Sequence, residues 1–247
     1  MLANQTARGI AFMCLAVSLF PFLNASVKML GVDYAIQQII WVRYLGHFVL
    51  MLLIFLPFHG LKLFRTKNLT VQLIRSLLLL GSTSCYFLAL TYLPLTTAAA
   101  ISFTSPFMVT ALSVPFLGER VGPRRWAAVA VGFIGALLII RPGGDSFHGA
   151  ELLVVANAVF YSLYQIMTRR LAGQDNPVTT ITYTAIFGAI LTSLVGPIYW
   201  VTPVVKIDWV MLAATGLIGG LGHFFVVKAF QFAEASVISP FAYGQLV

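Results

Sequence analysis

The sequence predicts an all-α fold, a polytopic membrane helix bundle formed by an inverted repeat of two five-helix units. Three observations carry the prediction: a composition unlike that of soluble domains, apolar runs of membrane-spanning length, and a faint self-similarity at an offset of about 140 residues. Hydrophobic residues make up 60% of the 247 and charged residues 9%, with a mean hydropathy of +0.94. Soluble domains run near 45–50% apolar and about 25% charged. So few charges cannot clothe a water-facing surface, and the expected surroundings are a lipid bilayer.

At roughly 20 residues per spanning helix, the chain divides into spans at 9–30, 35–57, 72–93, 95–117, 122–141, 149–170, 177–200 and 207–231, with a ninth run from 235 to the end. The first follows Arg8, is too long for a signal-peptide core and is followed by further spans, so it is expected to be retained. Gly31-Val32-Asp33 ends it. The second stops at Pro57, where a polar stretch leads to Asn68, and Pro94 separates the third from the fourth. Gly118 to Pro123 precedes the fifth, which closes at Arg141-Pro142-Gly143-Gly144. Gly173 to Pro177 divides the sixth from the seventh, and Thr202-Pro203 precedes the eighth.

The net charge of +8 raises nucleic acid as a partner, but the basic residues lie between apolar runs rather than on a stripe of folded surface, so no nucleic-acid partner is expected. With the N-terminus in the cytoplasm, Arg8, Lys62, Arg65, Lys67, Arg75, Arg120, Arg124, Arg125, Arg169, Arg170 and Lys228 fall at or near cytoplasmic ends, eleven of the fifteen basic residues. Lys28, Arg141 and Lys206 fall outside and Arg43 within a span, so the positive-inside rule favours this orientation. Cys14 and Cys85 lie in apolar runs without metal-site or disulfide spacing and are expected to be buried packing.

The repeat sets Gly9 against Gly149, Asp33 against Asp175, Gly46 against Gly188, and Ala89-Leu90-Thr91-Tyr92 against Ala229-Phe230-Gln231-Phe232. Five spans per unit is an odd number, so the second unit is expected upside down relative to the first, with units at 1–142 and 143–247. The counterpart of span five would fall beyond Val247, so the chain is expected to be C-terminally truncated, holding about nine of ten helices.

Phe116-Leu117-Gly118-Glu119-Arg120, then Trp126, then Gly132-Phe133-Ile134-Gly135-Ala136-Leu137-Leu138-Ile139-Ile140-Arg141-Pro142-Gly143 resemble the end of an EamA repeat of the drug/metabolite transporter superfamily. Ala98-Ala99-Ala100 and Ser105-Pro106-Phe107 fit its fourth helix. The run Ala235-Ser236-Val237-Ile238-Ser239-Pro240-Phe241-Ala242-Tyr243-Gly244-Gln245-Leu246-Val247 is similar to the ninth helix of riboflavin and S-adenosylmethionine transporter subgroups. The resemblance implies secondary-active, alternating-access transport of a small metabolite, riboflavin-, S-adenosylmethionine- or amino-acid-like, in a bacterial inner membrane. A coupling ion, H+ or Na+, belongs to the same expectation.

Polar groups within spans are the candidate binding residues, because each costs free energy in hydrocarbon. Arg43 and His47 share a face of span two by their i, i+4 spacing. They would meet an anionic group or relay a proton, unless Arg43 snorkels to the interface and His47 is satisfied by a neighbouring helix. Asn24 falls opposite Tyr164 or Gln165 in the repeat, and Asn157, Tyr161 and Gln165 sit on the same sixth span. These residues either line a polar cavity or join helices by hydrogen bonds. Span three carries Gly81-Ser82-Thr83-Ser84-Cys85-Tyr86, and span eight Gly216, Gly219, Gly220, Gly222 and His223. Paired Gly-interrupted helices point to a central site, although small residues also permit close packing. Tyr86, Tyr161, Tyr164 and Tyr243 could stack on a planar ligand, or serve as packing. Lys228 and Glu234 are expected to pair or snorkel, the alternative being a coupling-ion role.

No P-loop pattern is present, and Gly220-Leu221-Gly222 lacks the strand and acidic residue of a dinucleotide fingerprint. No cofactor is implied. Scattered histidines at 47, 59, 148 and 223, with acidic residues in loops or at span ends, argue against an intramembrane enzyme. The remaining alternative is a non-transporting or lipid-handling membrane protein.

Overall fold

The computed structural model describes residues 2–140 and 149–246. Its helices are α1 (Leu2–Leu30), α2 (Ile36–His59), α3 (Leu69–Tyr92), α4 (Leu95–Ser102), α5 (Ser105–Leu117), α6 (Pro123–Ile140), α7 (Ala150–Arg170), α8 (Pro177–Ser193), α9 (Lys206–Phe232) and α10 (Ala235–Ile238). Short 3-10 segments follow α2, α8 and α10, at Gly60–Phe64, Gly196–Tyr199 and Ser239–Leu246. No strand occurs among the described residues. The break at Arg141-Pro142-Gly143-Gly144, the unit boundary at 142/143 and His148 lie outside them.

Among the described residues six stretches are long and apolar enough to cross a membrane: Asn4–Leu30, Ile36–Phe64, Leu69–Tyr92, Leu95–Leu117, Ala150–Arg170 and Lys206–Phe232. The molecule is an integral membrane protein. Many exposed side chains are large and apolar, including Phe22, Leu53, Phe58, Val131 and Leu138, which suits a lipid-facing surface and no aqueous one.

Helix packing follows the repeat. α1 lies along α9 as α3 lies along α7, α2 packs on α9 as α8 packs on α3, and the 3-10 segment after α10 packs on α1 as α5 packs on α7. α2 against α8 is the self-paired contact of that scheme. Glycines permit the closest approaches: a Cβ on Gly216 would sit 2.9 Å from the Gly46 Cα, and one on Gly222 would sit 2.7 Å from the Phe20 ring. Close backbone approach of this kind holds membrane helices together without a hydrophobic driving force.

Several expectations change. The fourth span is two helices, because the chain turns at Phe103-Thr104 before Pro106, whose missing N–H suits the first turn of α5. The ninth run is likewise short helix then 3-10, changing at Ser239-Pro240. Span seven ends at Ser193, with Pro197 in a 3-10 turn beyond it. α3 and α9 are unbroken, so the glycines of spans three and eight serve packing, and the interruptions fall in the fourth and ninth spans instead. Cys14 is exposed and Cys85 only partly buried, since the helix faces carrying them are turned from the core.

Both ends of the bundle are tied by polar contacts. At one end the Tyr34 hydroxyl donates to Asp208 Oδ2 at 2.7 Å, and Gln38 exchanges two hydrogen bonds with the Val201 backbone at 2.8 Å. Lys28 Nζ closes the last turn of α3 by donating to the carbonyls of Leu90 and Leu93. Trp41, Trp200 and Trp209 cluster there too, as interfacial aromatics do. At the other end Glu119 accepts from the backbone amides of Ala235 and Ser236 at 2.8 and 2.9 Å, while Arg125 pairs with Glu234 at 2.8 Å. Glu234 therefore pairs with Arg125 rather than with Lys228, whose ammonium lies over the Phe224 ring. Lys228 and Glu234 stand on either side of the α9–α10 turn, and Arg125 reaches the carboxylate first.

Candidate functional site

A cavity of about 120 Å³ lies where α1, α2, α3, α4, α7 and α9 converge, closed in part by the segment after α10. Each element contributes a polar side chain or aromatic face by helical spacing. α3 presents Ser82, Thr83 and Tyr86 from one stripe, and α7 presents Asn157, Tyr161 and Gln165 at successive i, i+4 positions.

Seven of the ten candidates line this space: Asn24, Arg43, Tyr86, Asn157, Tyr161, Gln165 and His223. Asn157 is held by a hydrogen bond from the Ser82 hydroxyl at 2.7 Å and donates to Ser102 at 3.3 Å. Among the described residues the side-chain amides of Asn24 and Gln165 have no protein hydrogen bond, so their polar atoms are left for whatever fills the cavity. His223 packs on the rings of Phe20, Tyr161 and Tyr164.

The other three candidates stand behind the wall. Tyr164 is fully buried, lies 3.4 Å from His223 Nδ1 and accepts from Arg75 Nη2 at 3.2 Å. His47 is buried against Gly220, where a Cβ would come within 2.8 Å of its ring, and its Nε2 has no partner. Tyr243 donates to the Phe103 carbonyl at 3.0 Å, and its ring lies tilted against the Phe103 ring. Its hydroxyl joins the broken fourth span to the broken ninth.

Arg75 is the residue sequence reasoning missed. Counted among the cytoplasmic charges, it is instead 0% exposed. Its Nε donates to Thr168 at 2.7 Å, Nη1 to the Thr180 carbonyl and the Thr184 hydroxyl at 3.0 and 2.6 Å, and Nη2 to Tyr164. The threonines at 180 and 184, one turn apart on a buried face, are the only signal that α8 could receive a guanidinium.

Arg43 contrasts with it. It is 3% exposed, and Thr83 Oγ1, at 3.0 Å, is its sole hydrogen-bond acceptor among the described residues. Its Nε is buried and unpartnered, and the group lies over the rings of Tyr44 and Phe87 at 5.0 and 5.4 Å. Neither arginine has a carboxylate within ion-pair distance among the described residues. No cluster of potential metal ligands occurs among them either.

A helical membrane bundle with a central cavity, lined by convergent and partly unpartnered polar groups, defines a membrane transport protein rather than an anchor or a scaffold. The family model of the EamA-like transporter family matches residues 7–141 and 148–247. The chain belongs to that family, whose members are transporters and not enzymes. It is 31% identical to an S-adenosylmethionine uptake transporter of Rickettsia felis, over 80% of this chain and 67% of that one. A riboflavin transporter of Vibrio cholerae is 28% identical over 98% and 83%, and a pseudopaline exporter of Pseudomonas aeruginosa 27% identical over 100% and 87%. A crystal structure at 19% identity superposes with a TM-score of 0.77, covering 98% of this chain and 84% of the other, and so shares the two-repeat helical fold.

Proposed function

We propose that this protein is a secondary-active carrier that moves a small metabolite across the bacterial inner membrane by alternating access. Its N-terminus is cytoplasmic, and two inverted units, 1–142 and 143–247, rock about the central cavity. The observation that carries this reading is the cavity itself: polar groups from both units face one central space, and the two ends of the bundle are each tied by polar contacts. At about 120 Å³ the space is smaller than the roughly 300–1,000 Å³ of ligand pockets. A metabolite needs more room than this conformation gives, and a rocking of the two units would supply it.

Asn24, Arg43, Tyr86, Asn157, Tyr161, Gln165 and His223 contact the substrate in this reading, while His47, Tyr164 and Tyr243 support them. The first panel is S-adenosylmethionine and riboflavin, after the relatives' names, with amino acids added, each with and without an H+ or Na+ gradient. Reconstituted in liposomes, the protein should carry at least one of them. The variant Arg43→Gln should lose that flux while still inserting into membranes. A complete panel with no flux above empty liposomes would remove the proposal.

A further inference from the structure

We infer that the cavity is built for a carboxylate-bearing small metabolite, whose carboxylate pairs with the guanidinium of Arg43. This rests on the reading of the cavity as the substrate site. Among the described residues two guanidinium groups are buried without a carboxylate for either, and they are treated differently. Every nitrogen of Arg75 has an oxygen acceptor, from Thr168, Thr180, Thr184 and Tyr164. Those four acceptors bind three helices to one another and take up four of the five N–H donors.

Arg43 has one hydroxyl, Thr83, two aromatic rings near its face, and an unpartnered buried Nε. It also borders the cavity. A buried guanidinium with its hydrogen-bonding capacity mostly unused is costly unless an anion joins it. Space for the group is kept open on the α9 side, because a Cβ at Gly219 would stand 2.8 Å from Nε. A planar fork of N–H donors matches a carboxylate in two parallel hydrogen bonds.

The rest of the lining says what the anion is attached to. The amides of Asn24 and Gln165 supply neutral donors and acceptors, while Phe20, Tyr86 and Tyr161 supply flat apolar faces. A carboxylate on a compact, ring-bearing metabolite fits this set. Inorganic phosphate or an uncharged ring system uses only part of it.

Matched ligand pairs test the inference on the full chain in lipid nanodiscs. The pairs are S-adenosylmethionine with its decarboxylated form and tryptophan with tryptophanamide, and riboflavin and inorganic phosphate are the comparison probes. At least one carboxylate should bind about tenfold more tightly than its carboxylate-free partner. In Arg43→Gln that difference should shrink to about twofold through loss of carboxylate affinity alone. Thr83→Val, which removes the hydroxyl that fixes Nη1 and keeps the charge, should weaken the carboxylate a few-fold more than its partner. The wild-type pairs decide the matter even where a variant fails to fold. Equal binding within both pairs, binding of riboflavin or phosphate only, or no binding at all would overturn the inference. A discriminating pair that gives no flux in liposomes keeps the carboxylate site and removes the transport reading. Riboflavin flux untouched by Arg43→Gln does the reverse.

Discussion

Gly188 and Gly135 show how differently one residue type can be used in this bundle. A Cβ at Gly188 would overlap the Tyr44 ring, whereas one at Gly135 would meet nothing within 4 Å. Gly188→Ala should therefore lower stability by about 1–3 kcal/mol through forced overpacking. Gly135→Ala should be neutral or slightly favourable, because alanine is the better helix former. Thermal melting of the purified variants in detergent reads both, and equal melting temperatures would contradict the close α2–α8 approach. The same local crowding separates Arg43 from Arg75. Both are single arginines in apolar sequence. Which one has an acceptor for every nitrogen depends on whether Thr168, Thr180 and Thr184, 93 to 109 residues away along the chain, lie beside it.

The elements were legible where length and hydropathy decide, and less so where backbone hydrogen bonding does. α1, α2, α3, α7 and α9 fall close to the stretches predicted from apolar runs, because a helix is the only open-ended way to satisfy the backbone in lipid. The splits at Phe103-Thr104 and at Ser239-Pro240 do not follow from hydropathy, although Ser105-Pro106 and Ser239-Pro240 stand at them. Proline removes an N–H, but whether a helix kinks or breaks depends on which neighbours take up the freed carbonyls. Here the Phe103 carbonyl is taken by the Tyr243 hydroxyl across the two broken spans. Tyr243→Phe should cost about 0.5–1.5 kcal/mol, seen as a lower melting temperature. No change would mean that the break holds without this bond. Glu119 is a second element-scale device. Its carboxylate caps the first amides of α10, and Glu119→Ala should lower stability by about 1–2 kcal/mol, as loss of a cap does.

At the scale of the whole molecule the two ends of the bundle can be separated experimentally. Tyr34 lies between spans, and its hydrogen bond to Asp208 is the main reason its pKa is pushed up to about 12, with burial and the negative charge of Asp208 adding to it. The protonated phenol is the form the fold favours. The contribution is complete below the ordinary value near 10 and is lost as pH rises from there through about 12. Melting temperature should fall over that interval in the wild type more than in Tyr34→Phe, and parallel curves would show that the contact adds nothing. Orientation is tested with Cys14→Ser and Cys85→Ser as background. A cysteine at Leu61 should react with an impermeant maleimide only from the cytoplasmic side, and one at Val204 only from the outside. The sequence by itself determined that the chain lives in a bilayer as a helical bundle with a repeat, because composition, spacing and hydropathy are local properties summed along the chain. It also carried most of the cavity-lining residues, since a polar group inside a span is conspicuous wherever it points. Only the tertiary structure decided that Arg75 is locked, that Arg43 faces the cavity with donors unused, and that His47, Tyr164 and Tyr243 stand behind the wall. Whether a buried polar group has a partner depends on helices brought together from distant parts of the chain, and no periodicity records that.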